Sequence, residues 1–116
     1  MKGNQTIEDP EHPILSCAWE YEIIGIRLER EPLDGSKPFI DLRLRNGTER
    51  RLLRFWSPRE LEIERGGPCM TSGLVIRDIR ARGLAGLAVM VDDFEASRGS
   101  VKFYARTVEA ISEEAG

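Results

Sequence analysis

The chain has 116 residues, of which 41% are hydrophobic and 32% charged, a balance typical of one globular domain and not of a disordered polypeptide. Its formal net charge of −3 is too small to predict a polyanionic partner for the molecule as a whole. No apolar run approaches the roughly 20 residues that span a bilayer, so we expect no membrane partner.

Residues 1–13 are polar and acidic and contain Pro10 and Pro13, which favours an extended N-terminal arm. They lack the apolar core of a secretory signal, so we expect a cytoplasmic protein. Residues 14–116 are then expected to form a single β-rich domain. His12, the only histidine, lies in the arm, which argues against a histidine-dependent catalytic triad and against a metal site built from several histidines.

Residues 18–30 predict the first strand, because apolar and charged side chains alternate along them. Ile24, Ile26 and Leu28 are expected to share one face. Residues 32–38 predict the turn that follows, since they contain Asp34-Gly35 between two prolines.

Residues 39–56 predict a β-hairpin, with Asn46-Gly47 as a two-residue type I′ turn in which both central residues have positive φ. This turn places Arg43 opposite Arg50. One face of the hairpin is then apolar near its base. The other face carries the candidate partner-binding residues Arg43, Arg45, Arg50, Arg54 and Trp56.

Residues 57–65 support two interpretations. Ser57-Pro58 followed by Glu60 has the pattern of a helix start, with a capping serine, proline at the first helical position and a glutamate three residues after the serine. Residues 61–64 instead alternate between apolar and acidic side chains, which is typical of a strand. We favour a short strand.

Three further strands are expected over residues 74–80, with a bulge near Asp78, over residues 87–91 and over residues 101–108. The C-terminal residues extend the last strand or form a helical turn. Short alternating runs between turns that contain glycine, proline or asparagine predict a mostly β protein with little helix. The expected fold is an antiparallel β-sandwich or partly open barrel of about seven short strands.

Few residue patterns suggest catalysis. Cys17 and Cys69 are far apart and have no metal-binding spacing, so we expect reduced, buried thiols. Residues 83–86 have the GxxG spacing of some RNA-binding loops, but a turn is the favoured interpretation. Asp92-Asp93-Phe94-Glu95 is the densest acidic cluster, and a solvated strand end is favoured over a cation site. We therefore expect no catalytic residues, no metal ion and no cofactor.

The arginine-rich face of the hairpin has two interpretations. The like-charge pair of Arg43 and Arg50 costs up to about 1 kcal/mol unless carboxylates compensate it. Asp41 and the glutamates of the first strand could supply an ion-pair lattice. Alternatively, the arginines and Trp56 bind an acidic partner protein, since both residue types are enriched in interface hot spots. Nucleic acid is disfavoured by the overall acidity and the scarcity of lysine.

A series of short motifs resembles small β-rich bacterial domains grouped with the immunity proteins of toxin systems. The resemblance extends over residues 18–111 and rests on hydrophobic spacing in LRF (53–55), LEI (61–63), IRDI (76–79), VMV (89–91) and KFYA (102–105). It implies a non-catalytic protein that binds and blocks a partner protein, and it assigns no functional residues.

The expected function is therefore that of a small non-catalytic bacterial protein that binds a partner. The alternative is a small-molecule-binding or enzymatic β-barrel that uses the acidic clusters. A homodimer is a further alternative, because the edge strands of a small sheet can pair with those of a second copy.

Overall fold

The computed structural model describes residues 9–63, 74–93 and 101–111. Strands dominate this part of the chain, and short 3₁₀ helices lie at Ala18–Glu20 and Arg80–Arg82. The strands are β1 (Glu22–Glu29), β2 (Phe39–Asn46), β3 (Glu49–Trp56), β4 (Arg59–Ile63), β5 (Leu74–Asp78), β6 (Val89–Asp93), β7 (Val101–Ala105) and β8 (Thr107–Ala110).

The strands form two antiparallel sheets of four strands each, a first sheet with the order β1-β2-β3-β8 and a second with the order β4-β7-β6-β5. The expectation of a mostly β, antiparallel, sandwich-like protein is confirmed. The described residues contain eight strands and not about seven. The difference arises because the strand expected over residues 101–108 divides at Arg106 into β7 and β8, which belong to different sheets.

The chain crosses between the sheets twice at one corner. Ser57, whose φ is 51°, separates β3 from β4, and Arg106 separates β7 from β8. The backbone N–H of Arg106 donates to the carbonyl of Trp56 over 2.9 Å. Bends of this kind let one strand contribute to two sheets. The corner therefore fixes Trp56 at the end of the first sheet.

The hydrophobic core lies between the inner faces of the two sheets. Phe55 of β3 and Phe103 of β7 meet edge to face, with ring centroids 5.1 Å apart. Aliphatic side chains with no exposed surface surround them, including Ile40, Leu42, Leu44, Leu53, Ile76 and Val91. Because successive side chains of a strand point to opposite faces, the alternate residues of β2 and β3 lie on the outer face of the first sheet.

The hairpin of β2 and β3 forms as expected, but its turn differs from the prediction. Asn46 pairs with Glu49, so the two-residue loop is Gly47-Thr48 and not Asn46-Gly47. Gly47 has a φ of 64°, whereas neither Asn46 nor Thr48 has positive φ. This is the φ pattern of a type II′ turn, which needs positive φ only at its first central residue, and here that residue is glycine.

The register of the hairpin shifts by two residues relative to the prediction, so the pairing of Arg43 with Arg50 was wrong. Arg43 lies opposite Leu52, and Arg45 lies opposite Arg50. A shift of two keeps every side chain on its expected face, because the side-chain period of a strand is two. The division into an apolar and an arginine-rich face is therefore confirmed.

The first strand begins later than expected and contains an irregularity. Residues Ala18–Glu20 form a 3₁₀ turn, and β1 begins at Glu22. A register shift between Ile23 and Gly25 leaves Ile24 as the extra residue of a bulge. Ile23 rather than Ile24 therefore shares the core side with Ile26 and Leu28, and Ile24 is 38% exposed.

Three local expectations have clear outcomes. The strand favoured for residues 57–65 is confirmed over residues 59–63, which form β4, and residues 64–65 lie outside the described residues. The bulge expected near Asp78 is absent, because β5 pairs regularly with β6 up to Asp78 and then ends. Gly83 and Gly86 have φ values of 70° and 74°, which supports the interpretation of that segment as a glycine-dependent turn.

Part of the N-terminal segment lies along the free edge of β5. The backbone N–H of Asp78 donates to Pro10, and that of His12 donates to Ile76, over 2.9 and 2.8 Å. Asp9 accepts hydrogen bonds from Arg82 through its carboxylate. Residues 9–12 thus cover an edge of the second sheet. None of the helices in the described ranges is long and apolar enough to cross a membrane.

Candidate functional site: the outer face of the first sheet

The candidate site is the outer face of the first sheet, which turns away from the core. The register of β1, β2, β3 and β8 brings all of the predicted partner-binding residues to this one face. Its members are Glu22, Gly25, Arg27, Glu29, Phe39, Asp41, Arg43, Arg45, Arg50, Leu52, Arg54, Trp56, Thr107 and Glu109.

Arg54 is held rigidly by its neighbours. It lies opposite Asp41, and its Nε and a terminal nitrogen donate to the two carboxylate oxygens over 2.8 and 2.9 Å. The Asp41 hydrogen bond is the main reason why the pKa of Arg54 is raised. Asp41 is only 5% exposed, so the fold depends on this bidentate pair to neutralise a buried carboxylate. The same pair uses both Asp41 oxygens, which leaves Asp41 poorly suited to acid–base catalysis.

An aromatic pair completes the environment of Arg54. Its guanidinium carbon lies 3.8 Å from the ring centroid of Phe39 and 5.6 Å from that of Trp56. The two rings meet edge to face, 5.4 Å apart. The indole N–H of Trp56 donates to Glu109 of β8. Arg54 and Trp56 therefore organise this end of the sheet.

Arg45 is also compensated from within the chain. It lies opposite Glu22 of β1, whose carboxylate accepts a hydrogen bond from Arg45 Nε over 2.9 Å and a second from a terminal nitrogen. The hypothesis that glutamates of the first strand pair with the hairpin arginines is thus confirmed for this residue. The Arg45 side chain remains 41% exposed, so the pair contributes modestly to stability.

Arg43 borders a depression that the sequence analysis did not find. The depression has a volume of about 380 Å³ and is lined by Gly25, Ile26, Arg27, Asp41, Arg43 and Leu52. It exists partly because Gly25, opposite Arg43, has no side chain: a Cβ there would lie 3.1 Å from Arg43 Cδ. A glycine inside a strand often marks a close approach of this kind, so Gly25 was the available signal.

Arg50 differs from the other hairpin arginines. It is exposed and lies directly opposite Arg45. No carboxylate of the residues that the structure describes forms an ion pair with Arg50. Glu49, its chain neighbour, lies on the other face and is bound by Arg51 and the Tyr21 hydroxyl. Among the described residues, Arg50 is therefore the member of this like-charge pair that no carboxylate compensates.

A second depression lies at the opposite end of the outer face, near the turn after β1. Its volume is about 350 Å³, and Leu33 at its border is fully exposed. Its lining residues are Arg27, Glu29, Pro32, Leu33, Asp34, Phe39 and Arg54. Leu33 was missed because the segment was interpreted only as a turn. The signal was a large apolar residue between polar turn residues.

The histidine, the first cysteine and the described part of the acidic cluster, which the sequence also offers as candidates, do not belong to this face. His12 is half-buried, and its Nδ1 accepts a hydrogen bond from the backbone N–H of Ile14. Cys17 is a partly buried free thiol, whereas Cys69 and residues 94–95 of the acidic cluster lie outside the described residues. Within the described ranges, no group of three or more histidines, cysteines and acids could hold a metal ion.

Comparison with known proteins adds no relative. The chain matches no model of a protein family, no curated protein and no solved structure. The resemblance to small β-rich immunity proteins therefore stays a prediction.

Proposed function

We propose that this protein is a small, non-catalytic binding protein that engages an acidic partner protein through the hairpin end of the outer face. The observation that carries the proposal is the pairing of Arg45 with Arg50, of which only Arg45 has a described carboxylate partner. A partner carboxylate at Arg50 would neutralise the second arginine of this pair, as Glu22 neutralises the first. Such a role fits an immunity-like or adaptor-like protein of the bacterial cytoplasm.

The charge of the hairpin end supports this choice of partner. Four arginines (Arg43, Arg45, Arg50 and Arg51) and two glutamates (Glu22 and Glu49) lie at this end among the described residues, so it is positive on a molecule whose formal net charge is −3. Electrostatic complementarity of this kind speeds encounter with an acidic surface and disfavours other partners. Arginine is also over-represented among interface hot spots.

The ordered aromatic end of the same face supports a protein partner over a diffuse polyanion. Phe39, Trp56 and Arg54 are already held in one arrangement, so binding would order few side chains. Leu33 adds a fully exposed apolar side chain beside them. An interface could therefore combine a charged contact at Arg50 with an apolar contact near Leu33.

Charge reversal at Arg50 tests the proposal. Tagged wild-type protein and Arg50→Glu are used to capture partners from an extract of the native host, and captured proteins are quantified by mass spectrometry. We expect at least one acidic protein to bind the wild type and to be reduced about tenfold or more with Arg50→Glu, because an attractive charge contact becomes repulsive.

Arg59→Glu is the matched control, since Arg59 is exposed, carries the same charge and lies in β4 of the second sheet. It should capture the acidic partner as the wild type does. Equal loss in both variants, or an unchanged partner set with Arg50→Glu, would overturn the proposal. Retention of the wild type on a polyanion column at low salt, falling steeply as salt is raised, would instead indicate nucleic acid as the partner.

A further inference from the structure

Within the described part of the chain, strand β1 has one edge without a neighbouring strand. In the first sheet it pairs with β2 alone among the described strands. A strand in this position presents unpaired N–H and C=O groups that can pair with another chain. Two of its large apolar side chains are exposed, Ile24 to 38% and Leu28 to 44%. The edge can therefore offer both backbone hydrogen bonds and apolar contact.

The bulge limits which part of this edge can pair. The register shift between Ile23 and Gly25 interrupts the strand, whereas residues 25–29 pair regularly with β2. Within this regular part, Leu28 lies on the core side, opposite Ile40, and Arg27 and Glu29 lie on the outer face. Regular pairing with a new strand is thus expected around Leu28.

We propose that two copies of the chain pair through β1 as antiparallel neighbours, with the two-fold axis at Leu28. Within one chain Arg27 already donates to the Glu29 carboxylate over 3.1 Å. In this register Arg27 lies opposite the partner's Glu29, and Glu29 lies opposite the partner's Arg27, so each side chain gains a second partner of opposite charge. Leu28 then meets the partner's Leu28. Directly opposite side chains on adjacent strands are close enough for both contacts to stabilise the pair.

Charge disfavours the two neighbouring registers. Opposite residues of a continuous sheet share a face, so a two-fold axis on the next residue in either direction is the nearest alternative. An axis at Arg27 would bring Arg27 against itself, and an axis at Glu29 would bring Glu29 against itself. Like charges directly opposite one another are destabilising, so the strand is complementary to itself around Leu28.

A cleft beside Leu28, lined by both apolar and charged side chains, lies next to this edge. It has a volume of about 510 Å³ and lies between the first sheet and β4, with Leu28, Ile40 and Leu61 among its lining residues. The partner's Leu28 would lie on the same side of the sheet as this cleft. Dimerisation would therefore remove apolar surface from water at the edge.

The mass in solution gives the first test. Sedimentation equilibrium of the wild type should show a concentration-dependent rise from the chain mass of 13.1 kDa to twice that value. Leu28→Lys should stay monomeric, because lysine on an edge strand blocks edge-to-edge pairing. Leu84→Lys is the matched control, since Leu84 is also 44% exposed but lies outside β1. It should dimerise as the wild type does.

A charge swap tests the register independently of Leu28. Arg27→Glu and Glu29→Arg should each weaken dimerisation about tenfold, because each places two like-charge pairs across the two-fold axis. The double variant carrying both changes should recover the wild-type dimer. A monomeric wild type, equal effects of Leu28→Lys and Leu84→Lys, or a failure of the double variant to recover would overturn the proposal.

Discussion

At the scale of single residues, the arginines of one face have different roles. Arg54 neutralises the buried Asp41, and Arg45 is bound by Glu22 of the neighbouring strand. Arg50 has the same side chain and the same face but no described carboxylate partner. An arginine on this face thus stabilises the fold where it pairs with a carboxylate, as Arg54 and Arg45 do. Arg50 remains available for binding.

His12 gives a residue-scale prediction about pH. Burial lowers the pKa of His12 below its usual 6.5, Asp78 opposes this shift, and Arg80 adds to it. Its Nδ1 accepts the Ile14 N–H only when that nitrogen is unprotonated. Because the folded pKa is depressed, the unfolded chain binds more protons just below pH 6.5. Stability should therefore fall as the pH decreases from 6.5 through the folded pKa.

Denaturant titrations across this pH range check the prediction, with His12→Asn as the control. Asparagine keeps an acceptor near the Nδ1 position but does not titrate, so its stability should not change in this window. An equal slope of stability against pH in both proteins near pH 6 would contradict the assignment to His12.

Asp78 acts separately at lower pH. Its hydrogen bonds from Arg80 lower its pKa from 3.8 to about 2, so its contribution to stability is lost as the pH falls between those values.

At the scale of elements, the hairpin shows what alternation can predict. Its two faces follow from the side-chain period of two, so Arg50 and Arg54 were placed on one face without knowledge of the register. The opposite pairs depend on the turn, and Asn46-Gly47-Thr48 is compatible with two different two-residue loops. The observed loop also places Asp41 opposite Arg54. The ion pair between them stabilises this register, and the turn preferences of residues 46–48 do not predict it.

The site was predictable to a similar degree. The sequence predicts that Asp41 and a glutamate of β1 neutralise arginines of the hairpin, because these acidic residues lie in strands adjacent to the arginines. The particular partners were not, since the bulge at Ile24 changes which β1 residues face outward. The exposure of Leu33 could not be predicted from the alternation of apolar and polar residues, because a turn has no such periodicity.

The turn itself gives an element-scale prediction. Gly47→Ala should lower the free energy of unfolding by about 1 kcal/mol, because alanine is strained at the φ of 64° that Gly47 adopts. Asn46→Ala should change it by less than about 0.5 kcal/mol, since Asn46 has extended backbone at the end of β2. Chemical denaturation of both variants measures this. A comparable loss with Asn46→Ala would favour the type I′ turn at Asn46-Gly47.

At the scale of the whole molecule, the fold separates stability from binding. The two sheets bury the apolar faces of their strands against each other and are joined at the corner of Ser57 and Arg106. This leaves Arg50 at the hairpin end of the outer face, and the edge of β1, as surfaces that the core does not need. The proposed partner contact is centred on Arg50 and the proposed self-pairing on Leu28, with Arg27 and Glu29 of the outer face beside it.

The free energy of unfolding of Arg50→Glu, measured beside that of Arg54→Glu, tests whether this face has separate structural and binding arginines. We expect Arg50→Glu to be as stable as the wild type or more stable by up to about 1 kcal/mol, because a like-charge pair with Arg45 becomes an attractive one. Arg54→Glu should lose about 3 kcal/mol or more, because the buried Asp41 loses its partner and faces a second carboxylate. Similar losses in the two variants would contradict the division of this face into structural and binding arginines.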